Sequence, residues 1–163
     1  MQVEIWSDVV CPWCYVGKKR FERALGGLAW RDEIEVRYRP FELDPTVPPS
    51  GVDLDAYLAE KYGDLGRVRA GHAHLTGAGA ELGIEFRWEG QRRPNTFDAH
   101  RLLAWALDHA GPTPQAELKE RLMRAYFTEQ RDVASADVLR ELAGEAGLDT
   151  ARADEALERG AYA

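Results

Sequence analysis

The chain has 163 residues, 45% hydrophobic and 30% charged, and its 21 basic and 28 acidic side chains give a net charge of −7. A chain of this size buries enough surface to hold a core without metal or disulfide staples. The acidic balance argues against nucleic acid, whose binding needs a clustered basic face, and against docking on anionic lipid. No apolar run approaches the roughly 18 residues of a membrane span, and Met1 leads into Val3-Glu4-Ile5-Trp6-Ser7-Asp8, too short and polar for a signal peptide. The expectation is a cytoplasmic setting, with neither nucleic acid nor membrane as partner.

Residues 2–6 alternate, Val3 and Ile5 against Gln2, Glu4 and Trp6, which predicts a strand. Helical spacing follows through Phe21, Leu25 and Leu28, with Lys18, Lys19, Arg20, Glu22 and Arg23 around the cylinder and Gly26-Gly27 ending it. Residues 34–39 alternate again, with Ile34, Val36 and Tyr38 on one face, and Pro40 closes them. Strand, helix, strand predicts a βαβ unit with two parallel strands. Trp6, Tyr15 and Tyr38 are expected in its core.

Pro45, Pro48, Pro49 and Gly51 mark a loop, and beyond it the chain reads as helical. Asp53 caps a helix over 54–62 that Gly63 ends, and 65–82 form a second one, weakened by Gly71, Gly77 and Gly79. Residues 84–88 are briefly extended. Asn95 or Thr96 starts a helix to Ala110, stopped by Gly111-Pro112, and a core stripe marks 114–129. Ser135 caps 136–146, and Thr150 caps a last helix to about Arg159. The division expected is residues 1–50, a βαβ half, and residues 51–163, an all-helical subdomain.

The two cysteines, Cys11 and Cys14, sit where the first strand gives way to the first helix. A helix start offers unpaired N–H groups and the positive end of the dipole, both of which favour a thiolate. Pro12 fits the first turn, where its missing N–H has no partner to lose. One turn returns Cys14 to Cys11, and Trp13 between them is expected to face solvent. The chemistry implied is thiol–disulfide exchange, with the outer Cys11 attacking and the inner Cys14 resolving. A zinc site needs four ligands, and His72, His74, His100 and His109 complete no familiar pair with the cysteines, so no metal is expected.

Asp8-Val9-Val10-Cys11-Pro12-Trp13-Cys14-Tyr15-Val16-Gly17-Lys18 resembles the active-site signature of the DsbA-like thioredoxin-fold family, in particular its cytoplasmic FrnE-like branch. Pro40-Phe41-Glu42-Leu43-Asp44-Pro45 and Asn95-Thr96-Phe97-Asp98-Ala99-His100-Arg101 are similar to that branch too. The resemblance implies an α/β thioredoxin-like fold with a large helical insertion after the second strand. It implies Cys11 as nucleophile and Cys14 as resolving thiol, protein or peptide thiols and disulfides as substrates, and no cofactor beyond the redox-active pair, with glutathione as a conceivable co-substrate. The family fold continues into a ββα segment that this chain is expected to lack. The apolar strand faces and free edges are therefore expected to favour self-association or a complementing segment. Glutathione-dependent transferases and isomerases of the kappa and 2-hydroxychromene-2-carboxylate type share the fold, but typically carry serine and lack the second cysteine. A redox-inert binding module is the third reading.

Three further residues enter as contacts of substrate or thiolate. Asp8 is either a proton acceptor or, more simply, a helix cap; Asn95 is a cap; His100 is a proton shuttle or a packed histidine. Arg92 and Arg93 attract acidic peptide or glutathione carboxylates, or form a solvated basic pair. Phe86 and Trp88 belong to the core or a groove wall.

Overall fold

A computed structural model describes residues 1–162. Strands β1 (Gln2–Ser7) and β2 (Glu35–Pro40) pair in parallel, with helix α1 (Pro12–Gly26) between them in sequence, as the alternating segments require. Register places Val3 beside Val36 and Ile5 beside Tyr38 on one face, and Glu4 beside Arg37 and Trp6 beside Arg39 on the other. The first face is covered in part, because the later helices pack on β2, and Tyr38 is buried there, as is Tyr15 in the core. Trp6 is not in the core, contrary to expectation, but 59% exposed. Successive side chains in a strand point to opposite faces, so once Ile5 turns inward Trp6 must turn outward.

The apolar faces expected to lie open are therefore partly sheltered, with Val3, Ile5, Ile34 and Val36 half-buried. Part of the β2 edge is closed as well. Gln115, wholly buried, accepts from the Tyr38 N–H at 2.9 Å and donates to the Tyr38 carbonyl at 2.7 Å. A side-chain amide does there what a neighbouring strand would do.

Helix α2 (Leu54–Tyr62) starts on Asp53, which accepts from the Ala56 N–H at 2.8 Å, and ends at Gly63 with φ +71°. Helix α3 (Leu65–Ala80) runs unbroken through its glycines. At Gly79 the missing side chain is a packing requirement, since a Cβ would come within 2.7 Å of the Phe86 ring. Residues 84–88 form no strand. The short pairing lies either side of them in sequence, where β3 (Val52–Asp53) runs antiparallel to β4 (Arg92–Arg93). Two-residue strands carry no periodicity to read. Gly51 sits at this pairing with φ +67°, where a Cβ would meet the Arg93 carbonyl at 2.9 Å.

Helices α4 (Phe97–Ala110) and α5 (Pro112–Phe127) follow almost without a loop; α5 begins at Pro112, two residues before expectation, because proline suits the first helical position. Asn95 accepts from the Phe97 N–H at 2.9 Å, while Thr96 holds the cap position without a side-chain bond. Ser135 caps α6 (Ala136–Glu145). Asp149, not Thr150, caps α7 (Thr150–Glu158), taking the N–H groups of Ala151 and Arg152. Arg101 is buried and donates to the carbonyls of Ala156, Leu157 and Ala161, which fastens the end of the chain to α4. One hydrophobic cluster joins Val9, Val10, Tyr15 and Val16 to Leu102, Leu118, Leu122, Leu139 and Leu142, so the start of α1 rests on the helices.

Candidate functional site

Strand β1 ends in a buried turn, Ser7-Asp8-Val9-Val10, that delivers the chain to α1. Cys11 is the N-cap, with φ −93° and ψ 110°, and its Sγ accepts from the Cys14 N–H at 3.2 Å. The sulfur thus takes the place that a serine or aspartate oxygen occupies at other helix starts. Pro12 opens the helix and loses no hydrogen bond by doing so. Cys11 and Cys14 are unbridged and come within 2.7 Å of each other.

The two sulfurs differ in what they face more than in area, both residues being half-buried. Cys11 borders a cavity of about 540 Å³, between the start of α1 and the helices α2 and α3, and Cys14 packs against the hydrophobic core. Trp13 is 49% exposed at the cavity mouth, its ring 5.6 Å from that of His74. His72 stacks on Trp88 at 3.9 Å, and both line the cavity, while Phe86 lies in the core.

The dithiol titrates as a unit. Cys14 is lowered to about 7, first by the hydrogen bond from the Cys11 thiol, which outweighs burial, and further by a bond with the Asp8 backbone and the charge of Lys119. Cys11 is raised by the same bond, by burial and by the charge on Cys14. One thiolate therefore forms near neutral pH and the second is opposed by the first. The helix start by itself favours a thiolate at Cys11, but the hydrogen bond that the Cys11 thiol donates puts the charge on Cys14, with the Asp8 backbone and the charge of Lys119 adding to it.

Asp8 does not cap the helix, a role its neighbour Cys11 fills. It is wholly buried, its carboxylate accepting from the Leu43 N–H at 2.9 Å and lying 3.1 Å from the Nε2 of His100. Burial opposes its ionisation, but the bond and charge of His100, the Leu43 N–H and the charge of Arg93 outweigh it, so the carboxyl stays below its ordinary range. Its negative charge in turn raises both cysteines. His100 is buried as the partner of Asp8. Asn95 is turned elsewhere, its amide donating to the Val47 carbonyl at 2.8 Å, so it ties the proline-rich loop to α4. Arg92 and Arg93 part company: Arg92 is exposed, while Arg93 is buried and lines the cavity beside Cys11.

Lys119 is the residue that sequence reasoning missed. It is wholly buried on α5 and donates to the Ser7 carbonyl at 2.8 Å. Burial pushes its ammonium down to about 8 against the attraction of Asp8, Cys14 and Cys11. The signal was present, because Gln115, Leu118, Lys119, Leu122, Met123 and Tyr126 recur at helical spacing on one buried face. Lys18, expected around the cylinder from Phe21, Leu25 and Leu28, is also buried, bound to Glu22 and Glu120. Among the described residues no three His, Cys, Asp or Glu side chains converge as a metal site would need.

The model of the DSBA-like thioredoxin domain matches residues 2–163. The chain is 29% identical to the YwbO protein of Bacillus subtilis over 99% of its own length and 74% of that protein. It is 39% identical to a probable DsbA oxidoreductase from Streptomyces coelicolor, with a TM-score of 0.87 over 97% of this chain and 68% of that one. The cytosolic disulfide reductase DsbM of Pseudomonas aeruginosa, also solved with GSH, shares the fold at 20% identity, with a TM-score of 0.67 over 98% of this chain and 70% of that one. A 2-hydroxychromene-2-carboxylate isomerase shares it at 14% identity and a TM-score of 0.67 over 97% of this chain and 71% of that one.

Proposed function

We propose that this chain, which belongs to the DSBA-like thioredoxin domain family, is a thiol–disulfide oxidoreductase working through Cys11 and Cys14. The observation that carries the reading is the Cys11 sulfur set as the cap of α1 and bordering an open cavity, with a second thiol behind it. The thiolate shared by the pair reaches the outer sulfur and attacks one sulfur of a substrate disulfide. A bond forms between Cys11 and that sulfur while the other half leaves as a thiolate and takes up a proton. Cys14 then attacks Cys11, and the Cys11–Cys14 disulfide forms as the second substrate thiolate departs. Two electrons pass from the dithiol to the substrate, and the reverse sequence oxidises a substrate dithiol.

Protein or peptide thiols and disulfides are the substrates of this proposal, and glutathione is its small-molecule co-substrate. The paired cysteines favour it over a kappa-type transferase or isomerase, in which serine typically acts, and over a redox-inert module. A cytoplasmic setting belongs to the proposal: the chain's cysteines are confined to the one dithiol, and no helix among the described residues is long and apolar enough to cross a membrane. We also propose association with a second chain at β1, which among the described residues pairs with β2 alone and carries the exposed Trp6.

The test is trapping. With a disulfide substrate, a Cys14→Ser variant is expected to accumulate a mixed disulfide on Cys11, detected by mass spectrometry, while Cys11→Ser accumulates little. Equal trapping by both would show that the roles are not divided in this way.

A further inference from the structure

Arg93 is an unusual arginine. Its side chain is 6% exposed, yet among the described residues it makes no hydrogen bond, and its Nε is buried without a partner. An unpaired buried N–H costs about 1–3 kcal/mol, so such donors normally find acceptors. The nearest carboxylate is that of Asp8, 3.9 Å from Nη2, beyond hydrogen-bond range and already engaged with Leu43 and His100. The guanidinium is nevertheless held in place. It lies over the Tyr57 ring at 5.4 Å, and its backbone is fixed in the β3–β4 pairing.

The side chain lines the same cavity as Cys11. Lys61 and Arg67 line it too, and no Asp or Glu does, although acidic side chains outnumber basic ones in the chain. Leu54, Leu58 and Trp88 supply an apolar wall. A volume of about 540 Å³ is enough to take a molecule of tripeptide size.

We propose that Arg93 is a carboxylate anchor, and that the Cys11 site takes low-molecular-mass thiols and disulfides carrying a carboxylate a few bonds from sulfur. This rests on the oxidoreductase reading and names the substrate class for it. The terminal Nη donors of Arg93, rather than its enclosed Nε, pair with the carboxylate, which sets the substrate sulfur against Cys11, and the apolar wall takes the connecting chain. The exchange itself is unchanged: Cys11 bonds to one substrate sulfur and the other half leaves as a protonated thiol.

The experiment measures the rate at which Cys11 forms a mixed disulfide in a Cys14→Ser background. Two symmetrical reagents are compared, 3,3′-dithiodipropionate, with two carboxylates, and 2-hydroxyethyl disulfide, which is neutral. The ratio of the two rates cancels general effects on the thiol. In wild-type surroundings the acid is expected to react about tenfold faster than the neutral reagent, a preference that salt reduces. Arg93→Gln should lower that ratio by about tenfold and Arg93→Lys by less, since lysine keeps the charge without the fork. A ratio at or below one before any change at Arg93, or a ratio that Arg93→Gln leaves alone, overturns the proposal. Should Arg93→Gln fail to fold by circular dichroism, the starting ratio and Arg93→Lys decide. Adducts with both reagents and no preference sink the anchor alone; no adduct with either sinks the oxidoreductase reading as well.

Discussion

Two charged networks in this molecule use the same residue types to opposite effect. One lies beneath the dithiol, where Asp8, Arg93, His100 and Lys119 are all buried. The other runs over the surface between α5 and α6, where Arg121 and Arg131 reach Glu129, Glu141 and Glu145. The outer network has more ion pairs, yet its carboxylates lie in water, where the effective dielectric is high and salt screens them. The inner one has few contacts, but burial lets each charge act on the next and on both sulfurs. Burial, more than the number of pairs, decides whether a charge tunes chemistry or only covers a surface.

The largest test of that contrast is Asp8→Ala. It leaves the Leu43 N–H and His100 without their acceptor and Arg93 and Lys119 without their nearby charge, so a loss of about 3 kcal/mol is expected in urea unfolding. A loss below about 0.5 kcal/mol would place the inner network with the outer one. The pH dependence follows from the sign of the shift. The folded Asp8 carboxyl is lower than the unfolded one, so its contribution is complete above the unfolded value near 3.8 and is lost as pH falls through the folded value. Asp8→Asn should flatten that acid limb, measured as unfolding midpoint against pH.

Lys119→Met is the next test. Removing the buried ammonium takes away one of the influences that lower Cys14, and the first ionisation of the dithiol is expected to move to higher pH, read from thiolate absorbance. The same variant alters stability in alkali. Folded Lys119 loses its proton near 8 and the unfolded side chain near 10.5, so between those values the unfolded state holds more protons and stability rises with pH. The variant should lack that rise. An unchanged thiolate curve would mean that Lys119 only fills space beside Ser7.

The smallest effect is expected on the surface. Arg131→Gln together with Glu145→Gln removes a pair seen at 3.0 Å, and the cost should stay within about 1 kcal/mol and vanish in high salt. A larger cost that persists in salt would erase the distinction between the two networks.

What the sequence determined by itself is local: the two alternating strands, the helices with their caps at Asp53 and Ser135, and the dithiol at a strand-to-helix junction. Such features depend on periods of two and 3.6 residues and on side chains that bond to backbone a few positions away. The resemblance of the Cys11 segment carried the family and the general fold further than periodicity could. The spacing along α5 puts Lys119 on its inward stripe, but tertiary structure decided what each buried charge faces. Arg93 turns inward and Arg92 outward because a two-residue strand alternates, and Lys119 is drawn under the dithiol because α5 packs on β2 and carries it beside Ser7. The same packing sends Gln115 to the edge of β2 and leaves Trp6 on the open face. Those outcomes depend on partners about 35 to 110 positions away, which no local pattern names, and on the cost of burying charge, which is settled only once every neighbour is in place.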